Sequence, residues 1–257
     1  MYLRAVHAES STKALFEFIT ANPLGIITTA IPSTTHHFLQ SSHVPWVLDV
    51  YTDDPEAPVQ GRLRGHMARQ NPQSIAMMEA CTNSGTTELQ QDVMILFTSA
   101  HHHYVTPKFY TETKPDTGKV VPTWNYAAAQ VYGKATIYFD SSVAETSEYL
   151  SQQIHDLSRM CETSVMGYTG KDGKPGPWSV SDAPERYIEI MKKNTIGIEV
   201  AIESIGGKFK MSQDKGQGDR EGVIQGFSNL GSDVGTHIAE LVKERGEMKE
   251  AEKNKQL

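Results

Sequence analysis

Hydrophobic positions along the chain follow two spacings, and the shorter, strand-like one dominates its first two thirds. Residues 24–31, LGIITTAI, are β-branched and bounded by prolines, which predicts a buried strand. Residues 44–50, VPWVLDV, alternate: Val44, Trp46, Leu48 and Val50 share one face, while Pro45, Val47 and Asp49 share the other. That pattern predicts a half-buried strand with Pro45 near its start or on an edge. A polar connection over 52–58 and a returning strand over 61–68 complete a hairpin. The apolar run VMILFT at 93–98 predicts a central strand. Another opens at Trp124 and runs to Phe139, and 196–205 alternates strictly enough for one more.

Helical spacing appears between these runs. Ala14, Leu15, Phe18 and Ile19 recur behind a Ser11 or Thr12 cap and stop at Asn22-Pro23. Asn71 suits an N-cap and Pro72 the first helical position, so a helix is expected from Gln73 to Cys81. Residues 142–160 are amphipathic, 184–193 form a short helix, and 219–229 and 232–245 form two helices across Leu230-Gly231. Residues 106–121 read as a long loop, and the polar 246–257 as a frayed tail. Strands at short spacing with few helices between them favour an antiparallel barrel over a doubly wound sheet. The expected fold class is mainly β with flanking α-helices, in one domain over 1–245.

Composition narrows the setting. A formal net charge of −7 and a pI near 5.8 argue against broad affinity for nucleic acid. The two cysteines, Cys81 and Cys161, form no zinc pattern with the ten histidines, so reduced structural thiols are expected. The start lacks a signal-peptide core, and no run approaches the ~20 apolar residues of a membrane span. A cytoplasmic protein away from the membrane is expected.

Candidate chemistry concentrates at 61–73, GRLRGHMARQNPQ, where Arg62, Arg64, Arg69 and His66 stand among glycines before a helix start. Guanidinium forks and a helix N-terminus suit an anion; an exposed strand with solvated arginines is the alternative. The triple histidine at 101–103 cannot converge on one metal ion from a strand, because neighbours point to opposite faces. No nucleophile with its base stands out, which argues against hydrolase chemistry. The helix at 232–245 has no arginine in its first two turns, so an ordinary hairpin fits it better than a helix-turn-helix.

Four segments together, NPLG (22–25), SSHVPWVLD (41–49), GHMARQNPQ (65–73) and VPTWNYAAAQVYGKA (121–135), resemble the successive signatures of the PaiB-type negative transcriptional regulators. HHHYVTPKFY (101–110) and KFKMSQDKGQGDREGVI (208–224) extend the resemblance. Where the family commonly has Asn this chain has Asp214, which weighs against a phosphate contact at that position. The family belongs to the FMN-binding split-barrel, pyridoxamine phosphate oxidase-like group. The resemblance implies a six-stranded split β-barrel, a homodimer, and FMN at the subunit interface. It implies that Arg69, Asn71 and Ser42 serve the phosphate and that His43, Pro45, His66 and Met67 run beside the ring. Trp124 and Tyr126 would form its wall, with Asn125 bonding an edge. A flavin-dependent oxidoreductase is the enzyme reading. The alternatives are a haem-binding or haem-degrading protein with His43, His66 or His103 as axial ligand, and a transcriptional regulator without activity.

Overall fold

The structure, a computed structural model, describes residues 1–51 and 61–255; the connection expected at 52–58 lies outside the described residues. The strands are β1 (Ala8–Glu9), β2 (Leu24–Ala30), β3 (Leu39–Pro45), β4 (Val47–Val50), β5 (Gly61–Ala68), β6 (Val93–Thr98), β7 (His103–Val105), β8 (Thr123–Tyr138) and β9 (Thr195–Lys210). The helices are α1 (Thr12–Ala21), α2 (Pro72–Ser84), α3 (Thr113–Thr117), α4 (Ala144–Met160), α5 (Glu185–Lys193), α6 (Gln217–Ser228) and α7 (Asp233–Lys255). The chain gathers into two compact units. A barrel unit comprises Phe16–Phe97 and Val131–Ile205, and a terminal unit comprises Met1–Leu15, Thr98–Gln130 and Gly206–Leu257. The long strands β8 and β9 supply residues to both.

In the barrel unit the sheet order is β3-β2-β6-β8-β9-β5-β4. Its two ends, β3 and β4, are consecutive in the chain and separated only by Trp46. The sheet therefore curls round on itself: with β3 and β4 taken as one bent strand, six strands surround the core. The mainly β, split-barrel class expected from the sequence is the one found. Inward positions follow the period of two, with Ile27, Val44, Trp46, Leu63, Ile95, Ile137 and Ile198 all buried. Trp46 fits because two glycines yield space. A Cβ on Gly25 would stand 2.9 Å from its ring and 2.6 Å from Phe97, and one on Gly65 would meet it at 3.0 Å. The glycines of NPLG and GHMA are thus packing residues.

The terminal unit pairs β7 with β8 in antiparallel register, Tyr104 opposite Trp124, and pairs β1 with β9. Its core is built from Val105, Ala127, Ala129, Phe209, Val223, Phe227, Ile238 and Val242. Helix α7 runs on through residues 246–255. Two contacts anchor that stretch: Arg220 pairs with Glu250, and the Lys249 ammonium donates to the Gln213 carbonyl. No described helix is long and apolar enough to cross a membrane.

Candidate functional site

The closure of the barrel is incomplete at one place. β4 pairs with the first half of β5, Val47 opposite Arg64, but β3 and β5 are not neighbours in the sheet order. Beyond Trp46 the bent strand turns to β2, placing Ser42 opposite Ile27 and His43 opposite Ile26. A seam is left between β3 and the end of β5, and the start of α2 bridges it. Asn71 caps α2 by accepting from the Gln73 N–H at 2.8 Å, while its Nδ2 donates to Ser42 Oγ across the seam at 3.1 Å. Gln73 Nε2 lies 3.0 Å from Thr29 Oγ1, 3.1 Å from the Gln40 carbonyl and 3.2 Å from the Ile27 carbonyl. Seven of the residues singled out by sequence, Ser42, His43, Pro45, His66, Met67, Arg69 and Asn71, stand on the two lips of this seam.

They are not equivalent. Met67 faces the core and is 5% exposed. The Arg69 guanidinium donates to the Phe139 carbonyl and reaches Met78 Sδ at 3.2 Å, so it holds the turn into α2. His43 is exposed and Ser42 half-buried. His66 is half-buried, with no partner among the described residues for its buried Nδ1, and burial lowers its pKa, favouring the neutral ring. Three more buried polar atoms at the seam have no partner among the described residues: Gln40 Nε2, Gln73 Oε1 and Ser74 Oγ. Native structures rarely leave such atoms unpaired, because each costs about 1–3 kcal/mol. Gln73, Ser74 and Gln40 escaped the sequence reading; Gln73 ends the GHMARQNPQ signature, and that was the available signal.

The two other arginines of this stretch do not serve an anion. Arg64, on the outer face of β5, donates to both carboxylate oxygens of Asp49 (2.7 and 2.9 Å) and to Asp156 Oδ2 of α4 (2.8 Å). Arg62 bridges Asp49 at 2.7 Å and Glu199 at 3.0 Å. Burial works to raise the Asp49 pKa, but the Arg64 and Arg62 bonds outweigh it and hold the carboxyl below its usual range. Chiefly through the bond to Asp49, the Arg64 pKa is raised further. Helix α4 covers this face, with Gln153 Nε2 on the Arg64 carbonyl at 3.1 Å and the Tyr149 hydroxyl on the Ile198 carbonyl at 2.7 Å.

Trp124, Asn125 and Tyr126 belong to the terminal unit. Trp124 is 51% exposed, with Tyr104 edge-on at 6.2 Å between ring centroids. Asn125 is fully buried and accepts from Ser212 Oγ at 3.2 Å. Of the triple histidine, only His103 lies within β7, where it meets Phe227 edge-on; before the strand, His101 stacks on His237 at 3.8 Å and His102 turns to Trp124. The His103 Nδ1 lies 2.8 Å from the Tyr104 carbonyl. Among the described residues no cluster of His, Cys, Asp or Glu is arranged to hold a metal ion.

The family model described as "Putative FMN-binding domain" matches residues 1–204. A protein of Aspergillus fumigatus with no described activity is 59% identical over 264 residues, covering 97% of this chain and 99% of its own length. The Bacillus subtilis protease synthase and sporulation protein PAI 2 is 24% identical over 245 residues, covering 95% of this chain and 98% of its own. Among solved structures, the flavocytochrome Anf3 of Azotobacter vinelandii is 9% identical with a TM-score of 0.45, covering 81% of this chain and 72% of its own. That likeness is too low to bear on function.

Proposed function

This chain belongs to the PaiB-type FMN-binding domain family, and from that premise we propose that it binds FMN at the seam between β3 and the β5–α2 turn. One observation carries the reading: buried donors and acceptors gather without partners at the gap where the barrel fails to close. FMN suits such a place because its ring edge offers donors and acceptors and its phosphate favours a helix N-terminus. Asn71, Ser42 and Ser74 would hold the phosphate end, and Gln40 and Gln73 would meet polar atoms. Pro45, His66 and His43 would flank the ring, with the neutral His66 able to donate or accept. Arg69 acts by fixing the turn. When bound, FMN supplies hydride and electron transfer, and the protein supplies orientation and shelter from water.

A second copy of the chain completes the site in this reading. The outer face of β3-β2-β6 carries Ile26 between His43 and Leu96, with Leu24 56% and Leu39 66% exposed. A sheet face of that apolar character suits a homodimer interface. The role is redox in the cytoplasm, and any regulatory effect would act without direct DNA contact, given the acidic chain and the absence of arginine from the first turns of α7.

Titration of the purified protein with FMN, followed by absorbance and flavin fluorescence, tests this. One FMN per chain is expected, and Asn71→Asp, which keeps the helix cap but loses the amide donor and adds a negative charge, should weaken binding about tenfold. Failure to bind FMN would overturn the reading, as would an intense Soret band on haem addition with no flavin binding. An Asn71→Asp protein that binds FMN normally would move the site elsewhere.

A further inference from the structure

The terminal unit holds a cavity of about 180 Å³, lined mostly by polar and charged residues, that the flavin reading does not use. Three cations line it, Arg4, Lys210 and Lys215, against one carboxylate, Asp214. Asp214 is exposed and stands 3.6 Å from the Lys215 ammonium, so the cavity keeps a net positive charge near two. Its floor is Asn125, with no exposure at all, whose Oδ1 accepts from Ser212 Oγ while its Nδ2 has no acceptor among the described residues. Ser212 sits at a φ of 59°, a left-handed conformation uncommon for a residue with a side chain and enriched at functional sites. Lys210, whose ammonium also donates to Thr123 Oγ1 and the Trp124 carbonyl, has its pKa lowered by burial, so a nearby anion would favour its charged form. His7 is turned by a 3.2 Å bond from its Nδ1 to Gln213 Oε1.

Donors outnumber acceptors here, the charge is positive, and one buried donor lacks its acceptor. We infer that this cavity is a binding site for a phosphate group, free or as a small monoester, held by Arg4, Lys210 and Lys215 with the Asn125 amide beneath it. A phosphate carries about −1.5 to −2 charge at neutral pH and several acceptor oxygens, which matches the charge and the surplus of donors. The inference stands apart from the flavin seam, which lies in the other unit.

Isothermal titration of the full chain with inorganic phosphate, glycerol phosphate and succinate separates the sources. Saturable one-to-one binding of phosphate or its ester, with succinate weaker, is expected. Arg4→Gln and Lys215→Gln, at the exposed and half-buried rim, should each weaken phosphate binding about tenfold, the scale of a charge-assisted hydrogen bond. Asp214→Asn should tighten it several-fold, a gain that misfolding cannot imitate. FMN affinity should stay within about twofold in all three variants. No phosphate binding at millimolar concentration, or binding unmoved by these variants, would overturn the inference. Loss of FMN affinity in the rim variants would overturn it as a site separate from the flavin's, while leaving flavin binding by the protein intact.

Discussion

The two halves of β5 meet polar demand in opposite ways. On its outer face Arg64 is satisfied by Asp49, Asp156 and the packing of α4, so that charge placed in a partly dry setting has found its counter-charge. At its far end, where β5 turns into α2, Gln40, Gln73, Ser74 and His66 keep buried atoms without partners. The sequence stretch is continuous through both. A run of arginines and a histidine is therefore not one feature: its first half builds the barrel, and its second half faces a gap. What distinguishes structure from site is whether the buried polar groups are already paired.

The largest effect is expected on the paired side. Arg64→Met should leave Asp49 and Asp156 facing each other without their shared cation and cost about 3 kcal/mol, read by urea unfolding. Next comes the packing of Trp46. Gly65→Ala places a methyl group 2.8 Å from Val44 Cγ1 and 3.0 Å from the indole, and overpacking of this kind costs about 1–3 kcal/mol. If either variant lost FMN affinity while its folded fraction stayed intact, the division between framework and seam would fail.

At the seam the balance reverses. Ser74→Ala removes a buried hydroxyl that has no partner among the described residues, so stability should hold or rise by about 1 kcal/mol or more, while FMN affinity falls about fivefold. The smallest effect is a pH dependence. The folded pKa of His66 lies below its unfolded value of 6.5, so its contribution to stability is fully present above pH 6.5. It is lost as pH falls from 6.5 toward the lowered folded value, where the unfolded chain binds the extra proton. His66→Gln should flatten the fall in melting temperature between pH 7 and 5 relative to the wild type. Taking the difference between the two proteins removes His7 and His237, which are shifted in the same direction.

Much of the barrel was legible because its strands obey a period of two. The run at 93–98 forms β6 with those bounds, and Val44 and Trp46 are buried as the alternation requires. The first half of the bent strand was not legible: Leu39, Gln40, Ser41 and Ser42 carry no apolar alternation, since the strand borders the seam and an open face rather than the core. β9 runs five residues past the expected Ile205 through Gly206, Gly207 and two lysines, paired there with β1. Helix α7 outlasts its apolar pattern because Arg220 and the Gln213 carbonyl hold its charged end. The residues on the seam lips were reachable only through the family signatures, because the gap itself depends on which strands fail to pair. Gly25 and Gly65 of those signatures make room for the Trp46 indole.

Hydrogen exchange of the protein with and without FMN tests the central claim most directly. The account predicts slowed exchange confined largely to residues 40–45 and 66–75, the two lips of the seam and the first turn of α2. Protection that spared both lips while FMN was bound would contradict it.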